Sequence, residues 1–68
     1  MAIMKVLEIL ANSPTSWENA VQNAVEEASK TIKGIRSVYI NEQSCVVEDG
    51  KVTEYRVNCK ITFAVKRA

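Results

Sequence analysis

Histidine is absent from this 68-residue chain, and cysteine occurs only twice. A zinc site of the usual Cys/His type therefore has too few ligands. A nucleophilic thiol or hydroxyl would also lack an imidazole to activate it. With only two glycines there is no Gly-rich phosphate loop, and no nucleophile–base pair is readable, so the chain is not expected to be an enzyme. No stretch approaches the roughly 20 apolar residues of a membrane span. The apolar start, Met1 to Ala11, is broken by Lys5 and Glu8 and lacks a signal-peptide layout, which leads us to expect a soluble cytoplasmic protein. Nine basic and eight acidic residues nearly cancel, to a net charge of +1, with no basic run that could track a phosphate backbone. Nucleic acid is a poor partner on these grounds. Lys66-Arg67 reads as a solvated cationic tail.

The size allows one domain, residues 1–68. A folded chain of this mass hides only about 60% of the surface it exposes when unfolded, so its stability is marginal without a metal, disulfides or partner subunits. A Cys/His zinc site lacks ligands, and the two cysteines do not pair. Self-association is left as the source of extra burial.

The one long helical pattern runs from about Thr15 to Lys33. Trp17, Ala20, Val21, Ala24, Val25, Ala28 and Ile32 recur in steps of three and four and form one stripe. Thr15-Ser16-Trp17-Glu18 reads as a capping box after Pro14, with Thr15 as the cap and Glu18 reaching back. Glu26 lies four residues before Lys30, and Gly34 supplies the stop. A stripe made mostly of alanine and valine is shallow and suits close approach to a sheet.

The remaining segments read as strands. Ala2–Leu10 is rich in β-branched and large apolar residues on both faces, so both faces should be covered, one of them by a neighbouring subunit. Ala11–Pro14 is the loop into the helix. Ile35–Val47 and Val52–Val65 flank Glu48-Asp49-Gly50-Lys51, and Asp-Gly between β runs is a strong hairpin signal. In the second arm Tyr55, Val57, Cys59, Ile61, Phe63 and Val65 alternate with Glu54, Arg56, Asn58, Lys60 and Thr62, giving a clear inner face.

A two-residue turn sets Val38 opposite Ile61, Ile40 opposite Cys59, Ser37 opposite Thr62 and Tyr39 opposite Lys60. Carried on, it sets Gln43 opposite Arg56 and Cys45 opposite Glu54, and it drives Glu42 onto the inner face beside Val57. That conflict predicts a bulge near Glu42–Cys45 or a polar subunit contact there. Cys45 and Cys59 lie too far apart along the ladder for a disulfide, and a bulge restores the face but not the distance. Cys59 reads as a core residue and Cys45 as a surface or interface thiol. A helix of about 19 residues spans roughly 28 Å, whereas a strand of about 14 residues spans roughly 46 Å. The hairpin must curl around the helix, project beyond it to another subunit, or both.

Four segments together resemble the dodecin family: Ser13-Pro14-Thr15-Ser16-Trp17-Glu18-Asn19 with the Ala20-Val21-Gln22-Asn23-Ala24-Val25 that follows, Thr31-Ile32-Lys33-Gly34-Ile35-Arg36, Glu48-Asp49-Gly50-Lys51-Val52, and Tyr55-Arg56-Val57-Asn58-Cys59-Lys60. The resemblance covers nearly the whole chain. It implies an α+β fold, β-α-β-β, with a curved antiparallel three-stranded sheet wrapped around one helix, and assembly into a hollow homododecamer. It also implies flavins (FMN, riboflavin or FAD) held in pairs between subunits for storage or scavenging rather than catalysis, and coenzyme A near subunit contacts in many members.

The family's flavin site uses a Trp that stacks on the ring and a Gln that bonds its polar edge. By the resemblance these positions are Ser37 and Arg56 here. Serine has no ring, and one stacking platform is worth roughly 1–3 kcal/mol in comparable base–aromatic contacts. Flavin binding is therefore expected to be weakened or lost. Trp17 belongs to the helix stripe and is no substitute. Tyr39, two residues after Ser37 on the same face, can offer a smaller platform or cover a subunit contact. Arg56 can stack its guanidinium or hold a phosphate, or pair with Glu42, Glu54 or another acid. The alternative to a flavin store is a shell without flavin, or a carrier of another ligand such as coenzyme A.

Overall fold

A computed structural model describes residues 3–65. Ala2, placed at the start of the first strand, and the Lys66-Arg67 tail lie outside the described residues. The elements are β1 (Ile3–Ser13), α1 (Trp17–Ser29), β2 (Ile35–Glu48) and β3 (Lys51–Val65). They form one antiparallel sheet in the order β1-β3-β2, so the chain's last strand is the central one. The expected β-α-β-β architecture is present. α1 crosses from one edge strand to the other and lies on one face of the sheet.

β1 runs three residues further than its composition suggested, through Ala11 and Asn12 to Ser13. The reason is at its end. The fully buried Ser13 hydroxyl accepts from Thr15 N at 2.9 Å and Ser16 N at 3.4 Å, and donates to Asn19 Oδ1 at 2.6 Å. Because Ser13 already takes the Thr15 amide, the cap is Ser16 rather than Thr15. Ser16 has extended backbone (φ −170°), and its Oγ accepts from Asn19 N at 2.9 Å. Asn19, not Glu18, occupies the third helical position, so the expected reciprocal box does not form.

The helix is also shorter at its far end. It closes with Thr31 N and Ile32 N both donating to Ala28 O, at 3.2 and 2.8 Å, and Ile32 lies beyond it. Gly34 is therefore not its stop. At φ +79° it turns the chain into β2, and its carbonyl accepts from Ala64 N at 3.0 Å. The Lys30 ammonium pairs with Glu27 at 3.2 Å rather than with Glu26, and both groups are exposed.

The helix stripe meets the sheet through its alanines, as its shallowness implied. Ala20 and Ala24 pack on Val57 and Cys59, with Ile9, Ala11, Trp17, Val21 and Val38 around them. Ile61 is fully buried on the same face of β3. Each such aliphatic side chain contributes about 1.5–3 kcal/mol of burial.

The β2–β3 hairpin turns at Asp49 (φ 51°) and Gly50 (φ 75°), both left-handed as a two-residue turn of this type requires. The Val38–Ile61, Ile40–Cys59, Ser37–Thr62 and Tyr39–Lys60 pairs form as expected. Three register shifts interrupt the rest of the ladder, leaving Arg36, Asn41 and Thr53 as extra residues. Asn41 resolves the conflict at Glu42, which now opposes Asn58 on the outer face. From Glu42 to Val46 the pairing is one residue off expectation: Gln43 opposes Val57, Ser44 opposes Arg56 and Cys45 opposes Tyr55. Thr53 restores the original register at the tip, and its Oγ1 donates to Val46 O at 3.4 Å. Bulges of this kind raise local twist and curl the ribbon.

α1 has 13 residues and so spans roughly 20 Å, whereas the 15 residues of β3 span roughly 50 Å. The protomer measures 54 × 20 × 12 Å, and the hairpin tip runs well past the helix. Trp17 ties the start of the helix to that projection. Its Nε1 donates to Ser44 O at 3.0 Å and its ring meets Tyr55 edge-on, centroids 5.1 Å apart. Trp17 is half-buried at this junction rather than central to the core.

Candidate functional site

The face of the sheet turned away from α1 carries the residues expected to make a site. Residues directly opposed in an antiparallel pair share a face, so β3 orders this surface into rungs. Thr62 lies between Val6 and Ser37, and Lys60 between Glu8 and Tyr39. Asn58 lies between Leu10 and Glu42, and Arg56 between Asn12 and Ser44.

Ser37 and Tyr39 therefore occupy neighbouring rungs, and both are exposed, Tyr39 by 64%. Arg56 lies six residues before Thr62 along β3, which is about 20 Å. One protomer does not bring Ser37 and Arg56 together. A single small molecule touching both positions would have to draw them from different copies.

The Asn58 and Arg56 rungs enclose an open cavity of about 620 Å³, lined by Leu10, Asn12, Glu42, Ser44, Arg56 and Asn58 with Val57 beneath. The Arg56 side chain makes no ion pair or hydrogen bond among the described residues, so the pairing with Glu42 or Glu54 that the sequence offered is not formed within the protomer. The Asn58 Oδ1 atom is buried without a hydrogen-bond partner. Such an atom costs roughly 1–3 kcal/mol unless something donates to it. The alternation of β3 could have flagged Asn58, since it stands between two buried apolar residues. Nothing in the linear pattern tied it to Asn12 or Ser44, because the Asn41 bulge sets that alignment.

Two further cavities lie elsewhere. One, of about 420 Å³, is walled by Trp17, Val21 and Ile40. The other, of about 590 Å³, lies between Ile32, Arg36 and Phe63 at the opposite end of the sheet. Neither thiol is placed for chemistry. Both cysteines are free; Cys59 is buried with its Sγ 3.6 Å from Ile9 O, and burial pushes its pKa up, away from the reactive thiolate. Cys45 is exposed opposite Tyr55.

A family model described as Dodecin matches residues 3–66. The chain belongs to the dodecin family. The calcium dodecin of Mycobacterium tuberculosis is 38% identical over 69 residues, covering 100% of this chain and 96% of that one. Among solved structures, dodecin from Streptomyces coelicolor matches with a TM-score of 0.92 at 28% identity, over 98% of this chain and 96% of the other. A crystal structure described as a calcium chelating immunodominant antigen, the M. tuberculosis calcium dodecin with a novel calcium-binding site, matches with a TM-score of 0.81 at 34% identity, over 97% and 94% of the two chains. Dodecins are small binding and storage proteins, and dodecamer assembly is known for the family. Among the described residues no group of three or more Asp, Glu, Cys or His side chains converges, whereas calcium takes six to eight oxygen ligands.

Proposed function

We propose that this dodecin works as a non-catalytic, self-assembled shell, twelve copies closing a hollow particle that holds small ligands between subunits in the cytoplasm, and that it binds flavin weakly. One observation carries the assembly: the large apolar residues left in the open. Met4, Val6, Leu7, Leu10, Tyr39, Ile40, Val47 and Val52 are all exposed in the isolated chain, against a core of six small or medium residues. An exposed apolar surface of this kind marks an interaction site, and a thin three-stranded ribbon has no second layer of its own to cover it.

Weak flavin binding follows from Ser37. A hydroxyl stands where the resemblance places the stacking ring, and Tyr39 on the next rung is the nearest aromatic group on that face. Arg56 in place of an amide changes the polar edge as well. The alternative is a shell that carries another ligand, such as a coenzyme A compound.

The deciding experiment is a fluorescence titration of riboflavin, FMN and FAD with purified protein, run beside a native mass measurement. A dodecameric mass with little quenching at micromolar protein supports the reading, and strong quenching contradicts the loss of flavin affinity. The double variant Ser37→Trp with Arg56→Gln should then quench flavin strongly, and its failure to do so would refute the site assignment.

A further inference from the structure

The protomer has two ends of opposite character. β1 stops pairing at Ser13, opposite Tyr55, so beyond Tyr55 the hairpin is a ribbon of two strands with no third beside it. Two strands alone are marginally stable in water. On this tip Val47 opposes Val52, 61% and 49% exposed, and the carboxylates of Glu48, Asp49 and Glu54 outnumber the one ammonium, Lys51. At the far end α1 has already closed, and Ile32, Lys33, Arg36, Phe63 and Val65 wall a cavity of about 590 Å³. Lys5 stands opposite Phe63 and so shares its face of the sheet. The stretches that make this end, residues 3–6, 30–38 and 61–65, contain no acidic residue. Lys30 is paired with Glu27, but Lys5, Lys33 and Arg36 form no ion pair among the described residues.

We propose that the hairpin tip of one copy seats in this basic cavity of the next, with Val47 and Val52 against its apolar wall and the tip carboxylates facing Lys33, Arg36 and Lys5. The tip needs cover and brings negative charge; the cavity has apolar surface to cover and brings positive charge. Complementary potentials of this kind fix which surfaces meet and in what register. The two features lie at opposite ends of a protomer 54 Å long, so one chain cannot join them to each other. A small anion in the cavity would neutralise the cations but leave the tip valines in water. Tip and cavity are different patches, and contacts between different patches close into rings when the rotation allows, which suits a closed particle. The inference rests on the self-assembly proposed above and names the ends that meet.

Charge reversal of each end tests the contact. Glu48→Lys with Glu54→Lys reverses the tip, and Lys33→Glu with Arg36→Glu reverses the cavity. Each pair sets like charges face to face, so each variant should dissociate at a protein concentration roughly tenfold or more above that of the unaltered chain. The chain carrying all four changes restores the complement and should recover most of that loss. Sensitivity to the cavity changes but not to the tip changes points to another anionic occupant and overturns the proposal, as does a fourfold variant no better than either pair. Should a reversed chain fail to fold, the unaltered protein still decides. A carbodiimide that joins carboxylates directly to amines should link Glu48, Asp49 or Glu54 to Lys33 or Lys5, and the length of the protomer means that any such link joins two copies. Links from the tip to other lysines alone, or none, overturn the proposal. The native mass of the unaltered chain is read first. A monomer refutes the assembly and this contact together, whereas a dodecamer that survives both reversals refutes this contact alone.

Discussion

The two faces of the same three strands are built on different terms. Toward α1, β3 presents Val57, Cys59 and Ile61, each at most 1% exposed, against alanines that let the helix come close. Away from α1, the sheet presents Met4, Val6 and Leu10 on β1 and Tyr39 on β2, between 47% and 76% exposed, interleaved with charged and amide side chains. The inner face is covered by its own helix except toward Leu7 and Ile40, 39% and 43% exposed, and the outer face waits for others. Packing that is internal to the chain specifies the protomer. Packing that is external specifies the assembly and, between its apolar residues, leaves room for a ligand.

That contrast can be broken from either side. The largest effect is expected on the outer face. Val6→Asp, at a position 59% exposed in the single chain, should collapse the native mass to small species. A purely monomeric protein would tolerate the change within about 0.5 kcal/mol, as surface substitutions usually are. On the inner face, Ile61→Ala should cost about 2–5 kcal/mol, the range for large-to-small changes at fully buried sites, read from denaturant midpoints.

Gly34→Ala should be the next most damaging. The position has φ +79°, and an added Cβ would lie 3.1 Å from Ala64 O, where the two strands are bonded. A loss of about 1–2 kcal/mol is expected. Ser16→Ala removes the acceptor for Asn19 N and should cost about 1 kcal/mol, while Thr15→Ala at the position first expected to cap should cost much less.

The smallest effect concerns pH. Burial holds the Cys59 thiol above its ordinary 9.0, so the unfolded chain loses that proton before the folded one does. Its contribution to stability is complete below the ordinary value and declines as pH rises beyond it. Denaturant midpoints should fall on the alkaline side of 9.0, and Cys59→Ala should flatten that part of the profile. At neutral pH a thiol reagent should modify Cys45 and spare Cys59 in the folded protein.

Much of the inner face was legible in the order of residues, because a helical stripe and a strict alternation are local patterns that report burial directly. The Asp49-Gly50 turn then fixed the pairing of Ser37, Val38, Tyr39 and Ile40 with β3. What eluded the linear pattern depended on contacts between distant segments. The helix ended early because the backbone bonds to Ala28 closed it before Ile32, and Gly34 was needed beside Ala64 instead. Glu42 signalled a bulge, but not that Asn41 would be the extra residue or that Thr53 would restore the register. The cavity was hidden for the same reason, since the alignment of Glu42 with Asn58 and of Ser44 with Arg56 exists only after that bulge. Of the expected site residues, Ser37 and Tyr39 stand together, and Arg56 stands apart in a pocket with Leu10, Asn12 and Ser44, which no local pattern tied to it.

The account depends on the outer face being completed by sister copies, and sedimentation over a dilution series with circular dichroism read on the same samples tests this most directly. It predicts a species of twelve times the 7.6 kDa chain mass, with folded structure lost as that species dissociates. A stably folded monomer at the lowest concentrations would contradict it.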